Sequence, residues 1–269
     1  MPTVAINGLN FYYETKGDGN DIVLLHGYIG DTEDFLNQVE ILAMEHRVSV
    51  LDERGRGKTE APPKEKDYSM ELFVDDVYKW LKYLKIDKCV MIGHSLGGIV
   101  AQEFALKYQS MLHALVLVDT TSEKITQSPE MAKLRIKIDE IAHTRGVEAA
   151  FDYDLKNNPA TIKRYNDHPE ILERMRKKTA ATSLDAYIGV WKALQEYNGT
   201  VDRIAQIKIP TLIAYGGDDL PLIKASRVLY QGIPDSDIIM ILGAGHGPHY
   251  EKPAEFNKAL LVFLKKLNW

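Results

Sequence analysis

Ser95 has the surroundings that most directly suggest chemistry. It lies in Gly93-His94-Ser95-Leu96-Gly97, directly after an apolar run at 89–92 and directly before a helical pattern at 98–105. The G-x-S-x-G pattern by itself is weak, because glycine-rich turns between a strand and a helix are common. The strand–turn–helix setting is what the chemistry requires. A serine presented on a sharp turn has strained dihedrals and close neighbours, so the flanking positions must lack bulk, and Gly93 and Gly97 meet that need. The helix that follows points its free N–H groups at charge developing on a substrate oxygen.

Serine is a poor nucleophile without a base to take its proton. His246, in Gly243-Ala244-Gly245-His246-Gly247 after the apolar run 238–242, is placed for that role at the carboxyl end of a strand. His249 is a nearby decoy. His94 flanks the serine and reads as packing, while His46, His113, His143 and His168 are given no role. A base of this kind needs a carboxylate to hold its tautomer and stabilise the imidazolium. Gly216-Gly217-Asp218-Asp219 follows the run 211–215 and offers two adjacent candidates, of which only one can face His246. Asp219 is the expected partner, in the chain order nucleophile, acid, base. The oxyanion would be held by Leu96 N–H and by Tyr28 N–H, the latter from His26-Gly27-Tyr28 after the run 22–25. His26, Gly27 and Tyr28 are also expected to contact substrate.

These residues need elements to bring them together. Short apolar, β-branched runs at 11–15, 22–25, 48–51, 89–92, 114–118, 211–215 and 238–242 alternate with helical patterns, which predicts an α/β fold with a mainly parallel sheet. A first strand near 3–6 can pair with 11–15 through Asn7-Gly8. Ser69 is set to cap a helix running to about Leu84, and Pro253 suits the first turn of the last helix. Between 121 and 206 no strand pattern appears. Residues 131, 134, 138 and 141, and then 187, 190, 191 and 194, recur at helical spacing. The expected organisation is a core of 1–120 and 207–269 with a helical cap of 121–206 over the end of the sheet. Trp191 on the second stripe either packs the cap or lines the substrate pocket.

The bulk numbers agree with a globular protein. The chain has 269 residues, 45% hydrophobic and 26% charged, with a net charge of −5, which argues against nucleic acid as a partner. One cysteine, Cys89, precludes an intrachain disulfide and reads as a buried thiol. No stretch is long and apolar enough for a membrane span, and no leader pattern is visible at the N-terminus. The expectation is a cytoplasmic monomer or small homo-oligomer that needs no metal or organic cofactor.

Taken together, Leu25-His26-Gly27, Asp52-Glu53-Arg54-Gly55-Arg56-Gly57, Gly93-His94-Ser95-Leu96-Gly97-Gly98, Gly216-Gly217-Asp218-Asp219 and Gly245-His246 resemble the α/β-hydrolase superfamily. The resemblance covers nearly the whole chain outside 121–206. It implies an eight-stranded sheet with one antiparallel strand, and its acid spacing from Gly216 supports Asp219 over Asp218. It also implies a structural turn at 52–57. Serine at 95 separates the chain from the dehalogenase and epoxide-hydrolase branches, which carry aspartate there. Ile99 stands where the menaquinone-pathway synthase carries arginine, and His94 where the ring-cleavage C–C hydrolases carry Asn. The Ser-Trp pair of proline iminopeptidases is absent. The branch most similar in outline is the esterase, enol-lactonase and perhydrolase group. The implied activity is hydrolysis of a small carboxylic ester or lactone. The alternatives are C–C hydrolysis on the same fold, or a small-molecule receptor that keeps the triad.

Overall fold

The computed structural model describes residues 2–267 and 269. Eight strands form one sheet: β1 (Thr3–Ile6), β2 (Leu9–Lys16), β3 (Asn20–Leu25), β4 (His46–Leu51), β5 (Cys89–His94), β6 (Leu112–Val118), β7 (Thr211–Gly216) and β8 (Ser236–Ile241). Their spatial order is β1-β2-β4-β3-β5-β6-β7-β8. β2 runs antiparallel to both neighbours and every other pairing is parallel, as the family resemblance implied. The expected strand end at Leu242 is not reached: β8 stops at Ile241, and Leu242 is 74% exposed in the turn that carries the chain to Gly243.

The helices are α1 (Leu36–Leu42), α2 (Met70–Tyr83), α3 (Leu96–Tyr108), α4 (Pro129–Arg145), α5 (Val147–Asn157), α6 (Pro159–Asp167), α7 (Leu172–Ala181), α8 (Leu184–Glu196), α9 (Leu220–Gly232), α10 (Pro248–Glu251) and α11 (Pro253–Leu264). Strand alternation divides the core. Val23, Leu25, Met91, Leu115 and Leu117 face one side, with Phe73 and Trp80 of α2 and Phe104 of α3. Ile22, Leu24, Val90, Ile92 and Val116 face the other, with Leu42 of α1 and Phe256 and Leu260 of α11. Strands buried on both faces are the reason these segments read as continuous apolar runs.

Between β6 and β7 the chain forms α4 to α8, as the two helical stripes indicated. Local signals start these helices. The Ser128 hydroxyl accepts from Met131 N–H with Pro129 in the first turn, Asn158 accepts from Ala160 N–H, and Ser183 accepts from Ala186 N–H. Ser69 caps α2 in the same way through Leu72 N–H. Residues of α4 and α8 share a cavity wall with residues that follow β3, β5, β6, β7 and β8, so the inserted helices lie over the carboxyl edge of the sheet. No helix among the described residues is long and apolar enough to cross a membrane.

One close approach holds the last two strand ends together. A Cβ on Gly216 would stand 1.9 Å from the Gly245 carbonyl oxygen and 2.5 Å from that of Ala244. Both obstacles are backbone and cannot rotate away. Gly216→Ala should therefore destabilise the fold by about 3 kcal/mol or more, at the upper end of overpacking costs. Urea unfolding measures this, and a variant as stable as the wild type would contradict the packing described.

Candidate active site

Ser95 sits between β5 and α3 with φ 53° and ψ −116°, a left-handed backbone that L-residues seldom adopt. The surroundings hold it there. Ser95 N–H donates to Val118 O at 2.9 Å, and its carbonyl accepts from Thr120 Oγ1 at 2.7 Å and from Gly98 N–H at 3.0 Å. A Cβ on Gly93 would fall 2.3 Å from Gly97 O, and one on Gly97 2.3 Å from Leu25 O. Both flanking glycines are thus required by contact with backbone, as the motif suggested.

The three residues singled out for proton transfer meet at this turn. His246 Nε2 lies 3.0 Å from Ser95 Oγ, and His246 Nδ1 lies 2.6 Å from Asp219 Oδ2. With Nδ1 donating to the carboxylate, Nε2 is free to accept the serine proton. Asp218 is exposed, and it contributes its backbone instead, through Asp218 N–H to Ala244 O at 2.8 Å. Burial opposes ionisation of Asp219, yet the His246 ring and the Arg164 guanidinium hold its carboxyl below the usual range.

Leu96 opens α3, where a helix leaves its first N–H groups unpaired. The loop after β3 abuts the same turn: a Cβ on Gly27 would stand 3.3 Å from Ser95 Cβ. Gly27, Tyr28, Leu96 and Trp191 all line the cavity above Ser95, whose volume is about 530 Å³. His26 does not. It is fully buried behind the loop, with Nδ1 donating to Gly27 O at 2.8 Å and Nε2 accepting from Glu53 N–H at 3.0 Å. The expected substrate contact by His26 is therefore corrected: its ring is consumed in shaping the loop that carries Tyr28. The Tyr28 hydroxyl donates to the Tyr187 carbonyl, so the same loop is tied to α8.

Several residues without an assigned role also meet here. His94 Nε2 donates to the His246 carbonyl at 2.6 Å, so the residue beside the serine holds the loop of the base. Asp119 accepts from Gly216 N–H at 3.1 Å, and burial together with the nearby Asp219 pushes its carboxyl well above the usual range. Arg164 of α6 lines the cavity and donates to the Tyr250 hydroxyl at 2.6 Å. His168 packs against Gly245, where an added Cβ would stand 3.3 Å from its ring. Apart from His94, which lies in the serine motif, none of these carries a local sequence signal, because each acts through a neighbour distant in the chain.

His26, His94 and His249 are all pushed well below the ordinary histidine range. Burial is the first cause in each case, joined by Arg56 for His26, His249 for His94 and Arg174 for His249. In the unfolded chain each would take a proton near pH 6.5. Below that pH the unfolded state binds more protons, so this contribution is present above about pH 6.5 and is lost as the pH falls. Asp52, pushed up to about 6, and Glu53, pushed up to about 7, both chiefly by burial, act in the opposite sense. A difference measurement isolates one ring. His249 stacks on Phe35 with centroids 4.8 Å apart, so phenylalanine suits the site. His249→Phe should make the acid-side fall in unfolding free energy shallower by up to about 1.4 kcal/mol per pH unit. Unfolding curves between pH 7 and 5 check this, and an unchanged slope would refute it.

A putative 2-succinyl-6-hydroxy-2,4-cyclohexadiene-1-carboxylate synthase of Bacillus subtilis is 28% identical, covering 91% of this chain and 90% of that protein. A thermophilic esterase of Thermogutta terrifontis superposes with a TM-score of 0.84 at 28% identity, covering 98% of this chain and 96% of that one. The enol-lactonase of Burkholderia xenovorans superposes with a TM-score of 0.84 at 26% identity, covering 98% and 100%. The family model for the α/β hydrolase fold matches residues 21–253, and with this sheet order and this strand–turn–helix at Ser95 the chain belongs to the α/β-hydrolase family.

Proposed function

We propose that this protein is a serine hydrolase that cleaves a small carboxylic ester or lactone through an acyl-enzyme on Ser95. The observation that carries this reading is the unbroken contact chain from Asp219 through His246 to Ser95, at 2.6 Å and 3.0 Å, opening into a cavity walled largely by apolar side chains. The structural likeness to an esterase and an enol-lactonase supports the ester and lactone class.

Each group then has one task. His246 Nε2 takes the Ser95 proton as Oγ forms a bond to the substrate carbonyl carbon. The carbonyl electrons move onto oxygen, and the N–H groups of Leu96 and Tyr28 hold that charge. As the carbonyl re-forms, the bond to the alcohol oxygen breaks and His246 returns the proton to it. Water repeats the cycle: His246 removes its proton, the hydroxide adds to the acyl carbon, and Ser95 leaves with a proton from His246. For a lactone the alcohol stays tethered, and the product is a hydroxy acid. Asp219 accepts from His246 Nδ1 throughout and stabilises the imidazolium.

The apolar wall, with Ile99, Leu134, Ile138 and Trp191, suits a hydrocarbon-rich substrate portion. A screen of p-nitrophenyl esters of rising chain length, beside lactones and an activated C–C substrate, tests the reaction class. Multiple turnover of an ester or lactone is expected. Turnover of the C–C substrate alone would overturn the class, and a single turnover would indicate a receptor.

Ser95→Ala should lower kcat by ~10⁴-fold or more with the fold intact, and mass spectrometry after a fluorophosphonate should find the adduct on Ser95. An adduct on another serine would sink the assignment. For the acid, Asp219→Asn keeps the size but can present an amide N–H to the histidine, so kcat should fall by ~10⁴-fold. Asp218→Asn, at an exposed side chain, should cost on the order of tenfold or less. If Asp218→Asn proves the more damaging of the two, the choice of Asp219 is wrong.

A further inference from the structure

The loop that carries His246 is fastened by a carboxylate outside the cavity wall. Glu251 Oε2, on a side chain with no exposure, accepts from Gly245 N–H at 2.5 Å, one residue before His246. The rest of the carboxylate faces residues from the inserted helices. Arg164 Nη2 of α6 lies 4.0 Å from Glu251 Oε1, and His168 Nε2, just after α6, lies 3.7 Å from Oε2. Three buried polar atoms here, Glu251 Oε1, Arg164 Nε and His168 Nε2, lack hydrogen-bond partners among the described residues. Arg164 and His168 thus approach the carboxylate that accepts from Gly245 N–H, at distances slightly beyond hydrogen bonding. A buried carboxylate with a missing partner is costly, so residues that move toward it gain stability and residues that leave it lose stability.

We propose that Glu251 is a positioning residue for His246, and that Arg164 and His168 make the inserted helices part of the same device. The inserted helices then do more than wall the cavity: when they seat, they complete the surroundings of the group that holds the base. This rests on the reading of Ser95, His246 and Asp219 as a triad. Glu251 and His168 do not line the cavity, so an effect of either on turnover cannot come through substrate contact.

The geometry predicts a graded response. Glu251→Gln keeps an oxygen acceptor for Gly245 N–H, whereas Glu251→Ala removes it. Per Ser95 titrated by a fluorophosphonate, kcat for p-nitrophenyl acetate should fall on the order of tenfold or less in Glu251→Gln and 10- to 100-fold in Glu251→Ala. KM should stay within about twofold, since misplacement of a reacting group costs rate rather than binding. His168→Leu should lower kcat in the wild-type background and have little further effect beside Glu251→Ala, a non-additivity expected of groups acting as one unit. A purely structural Glu251 would lower thermal stability and leave kcat per titrated site unchanged, and that result overturns the proposal. Additive effects of His168→Leu and Glu251→Ala overturn the part played by the inserted helices. A crystal structure of Glu251→Ala gives a readout free of activity: the His246 Nε2–Ser95 Oγ distance should lengthen past hydrogen bonding, and an unmoved His246 refutes positioning. Because every kinetic quantity is a ratio to the wild type, failure of the triad reading shows separately, as a wild type with neither turnover nor a Ser95 adduct.

Discussion

The left-handed backbone at Ser95 is the constraint from which the rest of the arrangement follows. A non-glycine residue with φ 53° holds strain on the order of 1–3 kcal/mol and persists only where its neighbours leave no alternative. Those neighbours come from two other strand ends. Val118 O at the end of β6 and Thr120 just beyond it grip the Ser95 backbone, while Leu25 O at the end of β3 presses on Gly97 so closely that no side chain fits there. The parallel sheet is what brings these carboxyl ends side by side. With the strands in this order, the loops after β3, β5, β6, β7 and β8 open on one edge, and only there can a strained serine, a histidine and a carboxylate converge.

Around that turn, buried polar groups set the positions of loops. His26 spends both ring nitrogens on backbone atoms at Gly27 and Glu53, and His94 spends one on the His246 carbonyl. Asp119 secures Gly216 N–H, and Glu251 secures Gly245 N–H. Glycine at 216 lets the acid loop touch the backbone of the base loop at Ala244 and Gly245. Asp219 and His246 are thus placed by two loops in direct contact, each tied down by a further side chain. Neutral imidazoles suit this work, since one nitrogen can donate while the other accepts, and burial keeps them neutral.

The inserted helices contribute in two chemically different ways. From α4 and α8 come apolar and aromatic side chains, with the Arg135 guanidinium stacked over the Tyr187 and Trp191 rings at 5.0 Å and 4.5 Å to the centroids. From α6 and α7 come charges. Arg174 and Lys178 of α7 pair with Asp34 beside the Tyr28 loop, and Lys178 also reaches Asp31. One set shapes the space a substrate would fill, and the other anchors the helices to the loops that hold the candidate catalytic groups.

The amino-acid sequence by itself determined the class of fold, the strand positions to within a few residues, the helices after Ser69, Ser95 and Pro253 and two helical stripes between 121 and 206, and the three residues that meet at 95, 219 and 246. Each left a local trace: β-branched runs for buried parallel strands, glycines where a turn excludes side chains, and Ser or Asn before a helix. The choice of Asp219 over Asp218 was weaker in the sequence, because neighbouring carboxylates look alike until the turn after β7 aims one at the histidine and the other at solvent. Only the tertiary structure decided that His26 serves the loop instead of the cavity, that His94, Asp119, Arg164, His168 and Glu251 gather around the base and the acid, and that Trp191 reaches the cavity wall. The physical reason is that most of these roles are pairings across long stretches of chain, such as Arg164 with Tyr250 or Asp119 with Gly216. A hydrogen bond of that kind imposes no periodicity and no local composition, and it exists only once the sheet has brought its strand ends together.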